Sequence, residues 1–265
     1  MRKQSEIPVA LTIAGSDSGG GAGLQADLKT FAALGVHGTS AITCITAQNP
    51  KRVTAIEPCS PKVIRAQLEA VFSELPPDAA KTGMLFSADI IRVVALWFAE
   101  HRECALVVDP VMVATSGARL LKDDACKMLT GKLLPLAMLI TPNVPEAEAL
   151  LGIRIQKAED LRTAARQLYE RFGCAALVKG GHLSETSEAI DVFFEGRSEL
   201  LLSSPRIAGV KTHGTGCTYS AAVTAQLARG EKLERAVQLA KDFVSEAIQR
   251  SYKVCGHDVL RHDLR

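Results

Sequence analysis

Short apolar runs of strand length alternate with helix-period segments along nearly all of the chain, and this alternation constrains the fold most. "VALTIA" (Val9 to Ala14) reads as a buried strand, and "GLQADLKTFAALG" after it as an amphipathic helix ending at Gly35. "GTSAITCITAQ" is the next strand. "SPKVIRAQLEAVFSEL" follows as a helix with Ser60 at its N-cap and Pro61 in its first position. "AAKTGM", "ALVVDPV", "MLITPN" and "AALVKGG" are further apolar runs, each stopped by Gly, Pro, Asp or Asn. Between them lie the helical segments "ADIIRVVALWFAEH", "KDDACKMLTGKLL" and "AEDLRTAARQLYERF". Repeated strand–helix alternation predicts an α/β fold with a mostly parallel sheet and helices on both faces. The pattern breaks at "EAIDVFFEGRSELLLSS", which reads as an antiparallel hairpin turning at Glu195-Gly196 on one sheet edge. Two helices close the sequence. With no repeat, linker or low-complexity tract, residues 1–265 are expected to form a single domain.

The chain is 47% hydrophobic, enough for a sizeable core, and its net charge of +2 is too mild to argue for a nucleic acid or a membrane surface. The apolar run Val9 to Ala14 is too short for a signal sequence. No stretch approaches the roughly 20 apolar residues of a membrane span. Cys44, Cys59, Cys104, Cys126, Cys174, Cys217 and Cys255 are scattered with no C-x-x-C pair. Free thiols in a reducing compartment fit that pattern better than disulfides or a zinc site. A cytoplasmic protein is expected.

In an open α/β sheet, ligands bind at the carboxyl ends of the strands. Asp17, Gln48, Lys81, Asp109, Asn143 and Lys179 stand at those ends and are expected to converge on one edge. "AGSDSGGGAG" (Ala14 to Gly23) joins the first strand to the first helix, where glycines let a ligand approach the backbone. Gly21 to Ala26 fits the loose dinucleotide pattern G-x-G-x-x-A. The next strand ends in Ala47-Gln48-Asn49, without the carboxylate a ribose would need, so a nicotinamide site is discounted. No P-loop motif is present.

Asp109 in "DPVM", with Asn143 and Glu146 in "TPNVPEAEAL", supplies the hard oxygen ligands Mg²⁺ takes. The spacing Asn143-x-x-Glu146 equally fits a helix capping box. Lys179 in "LVKGGH" either contacts a phosphate or is simply solvated. "HGTGC" (His213 to Cys217) places successive backbone N–H groups at a helix start, a ready anion hole, although an ordinary glycine turn has the same pattern. A helix N-terminus should lower the Cys217 thiol from about 8.5 toward neutrality. Cys217 therefore reads as a general base for an incoming hydroxyl.

Taken together, "ALTIAGSDSGGGAGLQADLKTFAALGVHGTSAITCITAQN", "KTGML", "DPVM", "TPNVPEAEALLG", "LVKGGH" and "THGTGCTYSAA" resemble, in order and spacing, the hydroxymethylpyrimidine/phosphomethylpyrimidine kinases of the ribokinase-like superfamily. The resemblance spans roughly residues 9 to 250. It implies a three-layer α/β/α sandwich, ATP with Mg²⁺, and a homodimer. The implied reaction is phosphorylation of 4-amino-5-hydroxymethyl-2-methylpyrimidine and then of its monophosphate, for thiamine biosynthesis. By the same resemblance, Gly15, Asp27, Gln48, Met84 and Val111 match the pyrimidine pocket, with Gln48 on the aminopyrimidine edge. Asp109, Asn143 and Glu146 match the magnesium and phosphate region, and Lys179 an ATP contact. Gly214, Thr215 and Gly216 match the anion hole and Cys217 the base; most of the superfamily has aspartate there. Pro50 stands where the family often has Thr, and the tail "CGHDVLRHDLR" lacks the family's Gly-Pro-x-x-His ending. A pyridoxal kinase on the same fold is the alternative, since Cys217 suits both. A non-catalytic metabolite-binding module would not need Asp109, Glu146 and Cys217 together.

Overall fold

A computed structural model describes residues 7–112, 121–181, 183, 188–207, 209–210 and 213–263. His182, Lys211 and Thr212 of the quoted motifs lie outside them. The elements in chain order are β1 (Val9–Asp17), α1 (Gly23–Ala33), β2 (His37–Asn49), β3 (Arg52–Pro58), α2 (Pro61–Glu74), β4 (Ala79–Thr82), α3 (Ala88–Glu100) and β5 (Ala105–Val108). Next come α4 (Asp123–Met128), β6 (Leu139–Ile140), α5 (Val144–Leu151), α6 (Ala158–Phe172) and β7 (Ala175–Lys179). The last are β8 (Glu188–Phe194), β9 (Glu199–Pro205), α7 (Thr215–Ala228), α8 (Leu233–Gln249), β10 (Tyr252–Val254) and β11 (His257–Val259).

Nine strands form one sheet in the order β3-β2-β1-β4-β5-β6-β7-β8-β9. The run from β2 to β7 is parallel. β8 and β9 add the expected antiparallel hairpin, turning at Gly196 with φ +94°. At the opposite edge β3 pairs antiparallel with β2, a second hairpin that the strand–helix alternation did not reveal. The reason is chemical. "RVTAIEP" is largely exposed and lacks the apolar run that marks a buried strand.

Side chains alternate across the buried strands, so each strand feeds two cores. Leu106 and Val108 face the core built with α2 to α6, whereas Val107 faces the one built with α7 and α8. Ala10 and Ala79 pack with Phe31 of α1 and Ala221 and Ala225 of α7. The layers are thus α2–α6, the sheet, and α1 with α7 and α8, as an α/β/α sandwich requires. Ser60 caps α2 as expected, accepting from the Val63 amide at 3.3 Å, with Pro61 in the first turn. The segment read as one helix over "KDDACKMLTGKLL" instead continues from α4 into a wide turn at Leu129–Leu133 and a tight one at Leu134–Leu136. No helix among the described residues is long and apolar enough to cross a membrane.

Strand order reverses beside β1: the chain steps outward to β2 and returns on the other flank as β4. Such a reversal opens a crevice at the carboxyl ends of the strands. The N-termini of α1 and α7 both meet it.

Candidate active site

The first loop is built on one carboxylate. Asp17, the last residue of β1, accepts from the amides of Gly19 (2.8 Å), Ala22 (2.8 Å) and Gly21 (3.1 Å). Burial raises its carboxyl, but His213 and the amides of Ala22 and Gly19 outweigh burial and hold it below the ordinary value. Ser18 Oγ is 2.8 Å from both the backbone nitrogen and the carbonyl of Gln48, which pins the end of β2 to the loop.

The second glycine turn docks onto the first. Gly214 has φ +87°, and a Cβ there would overlap the carbonyl oxygen of Gly21. Only glycine meets both demands. The turn opens α7, whose first amides point away from the helix into the crevice. A Cβ on Gly216 would lie 3.3 Å from Lys179 Nζ and 3.8 Å from Asp109 Oδ2, so the charged pair abuts the anion turn.

Lys179 is not solvated. Its Nζ donates to Asp109 Oδ1 at 3.0 Å. Burial works against its charge, but Asp109 and Glu146 outweigh burial and raise its pKa. Thr141 Oγ1 also donates to Asp109 Oδ1, at 3.2 Å, and Ser220 Oγ of α7 stands 3.3 Å from Oδ2. The Asn143-x-x-Glu146 spacing forms a capping box at α5: Asn143 Oδ1 accepts from the Glu146 amide at 3.0 Å, and Glu146 Oε2 from the Asn143 amide at 2.9 Å. Glu146 Oε1 faces the Met112 amide at 3.4 Å. Burial, with Asp109 adding to it, lifts the Glu146 carboxyl to about 7 despite Lys179.

On the other side, Gly15 and Met84 lie together. A Cβ on Gly15 would be 2.8 Å from Cys44 Sγ and 2.9 Å from Met84 Cε. Val111, half-buried, follows Asp109 and donates its amide to that residue's carbonyl at 2.8 Å. The side-chain amide of Gln48 reaches His213 Nε2 across the crevice at 2.9 Å.

Three expectations need correction. Lys81 does not join the others at the edge, because its position in β4 turns it inward. It is fully buried and donates to both Asp27 oxygens, at 3.0 and 3.1 Å. Burial opposes the Lys81 charge, but Asp27 more than offsets that and raises its pKa. Asp27 is equally buried and also accepts from Thr12 Oγ1 at 2.6 Å. It therefore sits beneath the pocket wall, with its carboxylate engaged inside the protein. The third correction concerns Cys217. Burial pushes its thiol up to about 11. Lys81 and the Gly23 amide pull the other way, while Asp27 and Asp109 reinforce burial. Desolvation between two helix N-termini and two carboxylates defeats the lowering that a single helix end would give.

Sequence reasoning assigned no role to His213, Thr141 or Ser220. Each acts through a partner far away in sequence, and only His213 carried a signal, as the first residue of the glycine turn. Among the described residues no group of three or more His, Cys, Asp or Glu gathers as a metal site.

Known proteins resemble this chain along most of its length. The family model for phosphomethylpyrimidine kinase matches residues 17–260. The hydroxymethylpyrimidine/phosphomethylpyrimidine kinase of Bacillus subtilis is 46% identical, over 96% of this chain and 94% of its own. That of Haemophilus influenzae is 49% identical, over 97% of each. The thiamine biosynthesis bifunctional protein ThiED of Geobacter sulfurreducens is 46% identical, and the chain spans 52% of its length. Among solved structures, phosphomethylpyrimidine kinase from Clostridium difficile matches with TM-score 0.81 and 44% identity, over 92% of this chain and 100% of that one. An ADP complex of Bacillus subtilis pyridoxal kinase matches with TM-score 0.89 and 37% identity, over 97% and 98%. By sequence and by fold, this chain belongs to the phosphomethylpyrimidine kinase family.

Proposed function

We propose that this chain transfers a phosphoryl group from ATP to the hydroxymethyl oxygen of 4-amino-5-hydroxymethyl-2-methylpyrimidine, and a second one to the resulting monophosphate, for thiamine biosynthesis. One observation carries the proposal. The turn at Gly214 touches the Gly21 loop and the Gln48 side on one flank and the Lys179–Asp109 pair on the other. An acceptor read by Gln48 and phosphates held near Lys179 would then meet at the amides of Gly214, Thr215 and Gly216 and at Cys217. Phosphoryl transfer asks for little beyond such positioning and charge stabilisation. The oxygens of Asp109 and Glu146 suit Mg²⁺, which takes one or two carboxylates and completes its shell with phosphates and water. When bound, the ion neutralises phosphate charge. Asn143 supports that region through its cap on Glu146. The proposal includes a homodimer, for which Ile45 on β2 and Val53 on β3 are exposed apolar side chains at that sheet edge; sedimentation at low protein concentration checks it.

The decisive experiment is ATP consumption against the pyrimidine alcohol, its phosphate and pyridoxal, with products identified by mass. Preferred turnover of pyridoxal would reassign the acceptor to vitamin B6 compounds.

Three variants probe the two flanks. Gln48→Leu strips a group that donates and accepts at once. It should weaken pyrimidine binding by about 1–3 kcal/mol, raising that KM while sparing the KM for ATP. An equal effect on both substrates would remove Gln48 from the pocket. Asp109→Asn and Glu146→Gln should shift the magnesium activation curve to higher concentration and lower turnover with the far-UV spectrum intact. Unchanged magnesium titrations in both would exclude these carboxylates from the metal site.

A further inference from the structure

The contacts around Gln48 determine which way its amide faces. An amide oxygen and nitrogen have the same shape, and the hydrogen-bond network tells them apart. Three distances decide the matter. Thr46 Oγ1 is 2.7 Å from the Ser16 carbonyl oxygen and 3.2 Å from the near atom of the Gln48 amide. The far atom of that amide is 2.9 Å from His213 Nε2.

A threonine hydroxyl has one proton. The Ser16 carbonyl has none to give, and two oxygens at 2.7 Å need one between them, so the Thr46 proton lies on that contact. Thr46 then offers Gln48 only a lone pair, and the amide atom facing it must be the NH₂ group. The carbonyl of Gln48 consequently faces His213, and the imidazole must donate to it through Nε2–H. Asp17 supports this independently. Its Oδ2 is 3.6 Å from the same Nε2, and an anionic oxygen there favours an N–H over a bare lone pair.

We infer that His213 is a positioning residue: it donates through Nε2–H to the Gln48 carbonyl, and with Thr46 it orients the amide that reads the acceptor. Gln48 is left with one free N–H on the Thr46 side and one free carbonyl lone pair on the His213 side. The consequence rests on the proposed pyrimidine reading. In the aminopyrimidine the exocyclic amine lies between the ring nitrogen and the carbon bearing the hydroxymethyl group. A ring that gives its amine proton to the carbonyl and takes the N–H at its ring nitrogen has the amine on the His213 side. The adjacent hydroxymethyl group then points toward the turn His213 begins, where Cys217 and the phosphoryl-holding amides lie. The opposite amide orientation would bind the same edge with the hydroxyl facing away. His213 thereby joins acceptor recognition to the direction of transfer.

The test has two arms on the full chain. Long-range proton–nitrogen correlation spectra, with His213 assigned by comparison with His213→Asn, should show the proton on Nε2 in the wild-type protein. A bare Nε2 with the proton on Nδ1 would overturn the inference. In kinetics, His213→Ala should raise the KM for the pyrimidine alcohol about tenfold, the worth of one well-placed hydrogen bond, with the KM for ATP changed less than about twofold. His213→Asn, which can still donate, should recover most of that loss. Equal damage to both substrates, or no recovery by Asn, would also overturn it. If the wild-type protein makes no phosphorylated pyrimidine, the proposed function fails, while the imidazole spectrum still decides the network.

Discussion

Replacing Cys217 with alanine is expected to lower turnover by about 10²–10⁴-fold, the usual worth of a general base, while ATP and the pyrimidine still bind. Cys217→Asp should retain more activity than Cys217→Ala, since a carboxylate can also take the proton. The pH dependence follows from the buried thiol. Burial holds it at about 11, so the thiol and not the thiolate prevails at neutral pH. On the proposed role of Cys217, the reactive form is the deprotonated one, a minor species at pH 7, and the rate should climb with pH toward about 11. Wild-type kcat/KM and iodoacetamide alkylation of Cys217 should both increase through pH 9 without a plateau. A plateau near neutrality would mean a depressed thiol after all. If Cys217→Ala keeps near wild-type turnover and the same pH profile, Cys217 is only a small residue that fits the helix mouth.

The largest effect on stability is expected from Lys81→Met. The fully buried Lys81–Asp27 pair carries two charges beneath the site. Removing the lysine leaves a buried carboxylate without its cation, although Thr12 still donates to it, and such losses cost about 3–5 kcal/mol. The urea midpoint should fall accordingly with an unchanged slope. The double variant Lys81→Met/Asp27→Leu should recover much of the loss, because no lone charge remains. A single variant as stable as the wild type would show that Asp27 takes up a proton and does without its partner.

These two residues also show what the sequence made legible. The order of strands and helices was readable because burial on both faces writes continuous apolar runs, as in "ALVVDPV" and "AALVKGG". Ser60, Pro61 and Gly196 marked their boundaries through local chemistry. β3 escaped because an exposed edge strand needs no apolar signature. The tail hairpin of β10 and β11 escaped for a related reason: its strands are three residues each and lie largely or partly in solvent. Within the site, the glycine turns and the residues at strand ends were visible as motifs. What Lys81 and Asp27 do to one another was not, since they lie 54 positions apart and their pairing depends on which face of β4 the lysine takes. The Cys217 thiol was misjudged for the same cause. One helix end is visible in "HGTGC", but the desolvation and the carboxylates that oppose it arrive from elsewhere in the fold.

The docking of the Gly214 turn on the Gly21 loop also bears on how the molecule comes into being. A ribosome releases the first glycine loop long before the turn that completes it. Gln48 and His213 are 165 positions apart, and Arg229 binds the Leu34 carbonyl across 195. Thr218, beside Cys217, meets the ring of His262, 44 positions further on. Contacts this distant carry a large loop-closure entropy and slow folding. A nascent chain can pair β1 with β2 and β4 early, yet its crevice stays without a floor of amides until α7 emerges. Binding competence should therefore come late in synthesis, and a stalled chain ending before residue 213 should hold neither acceptor nor nucleotide in register.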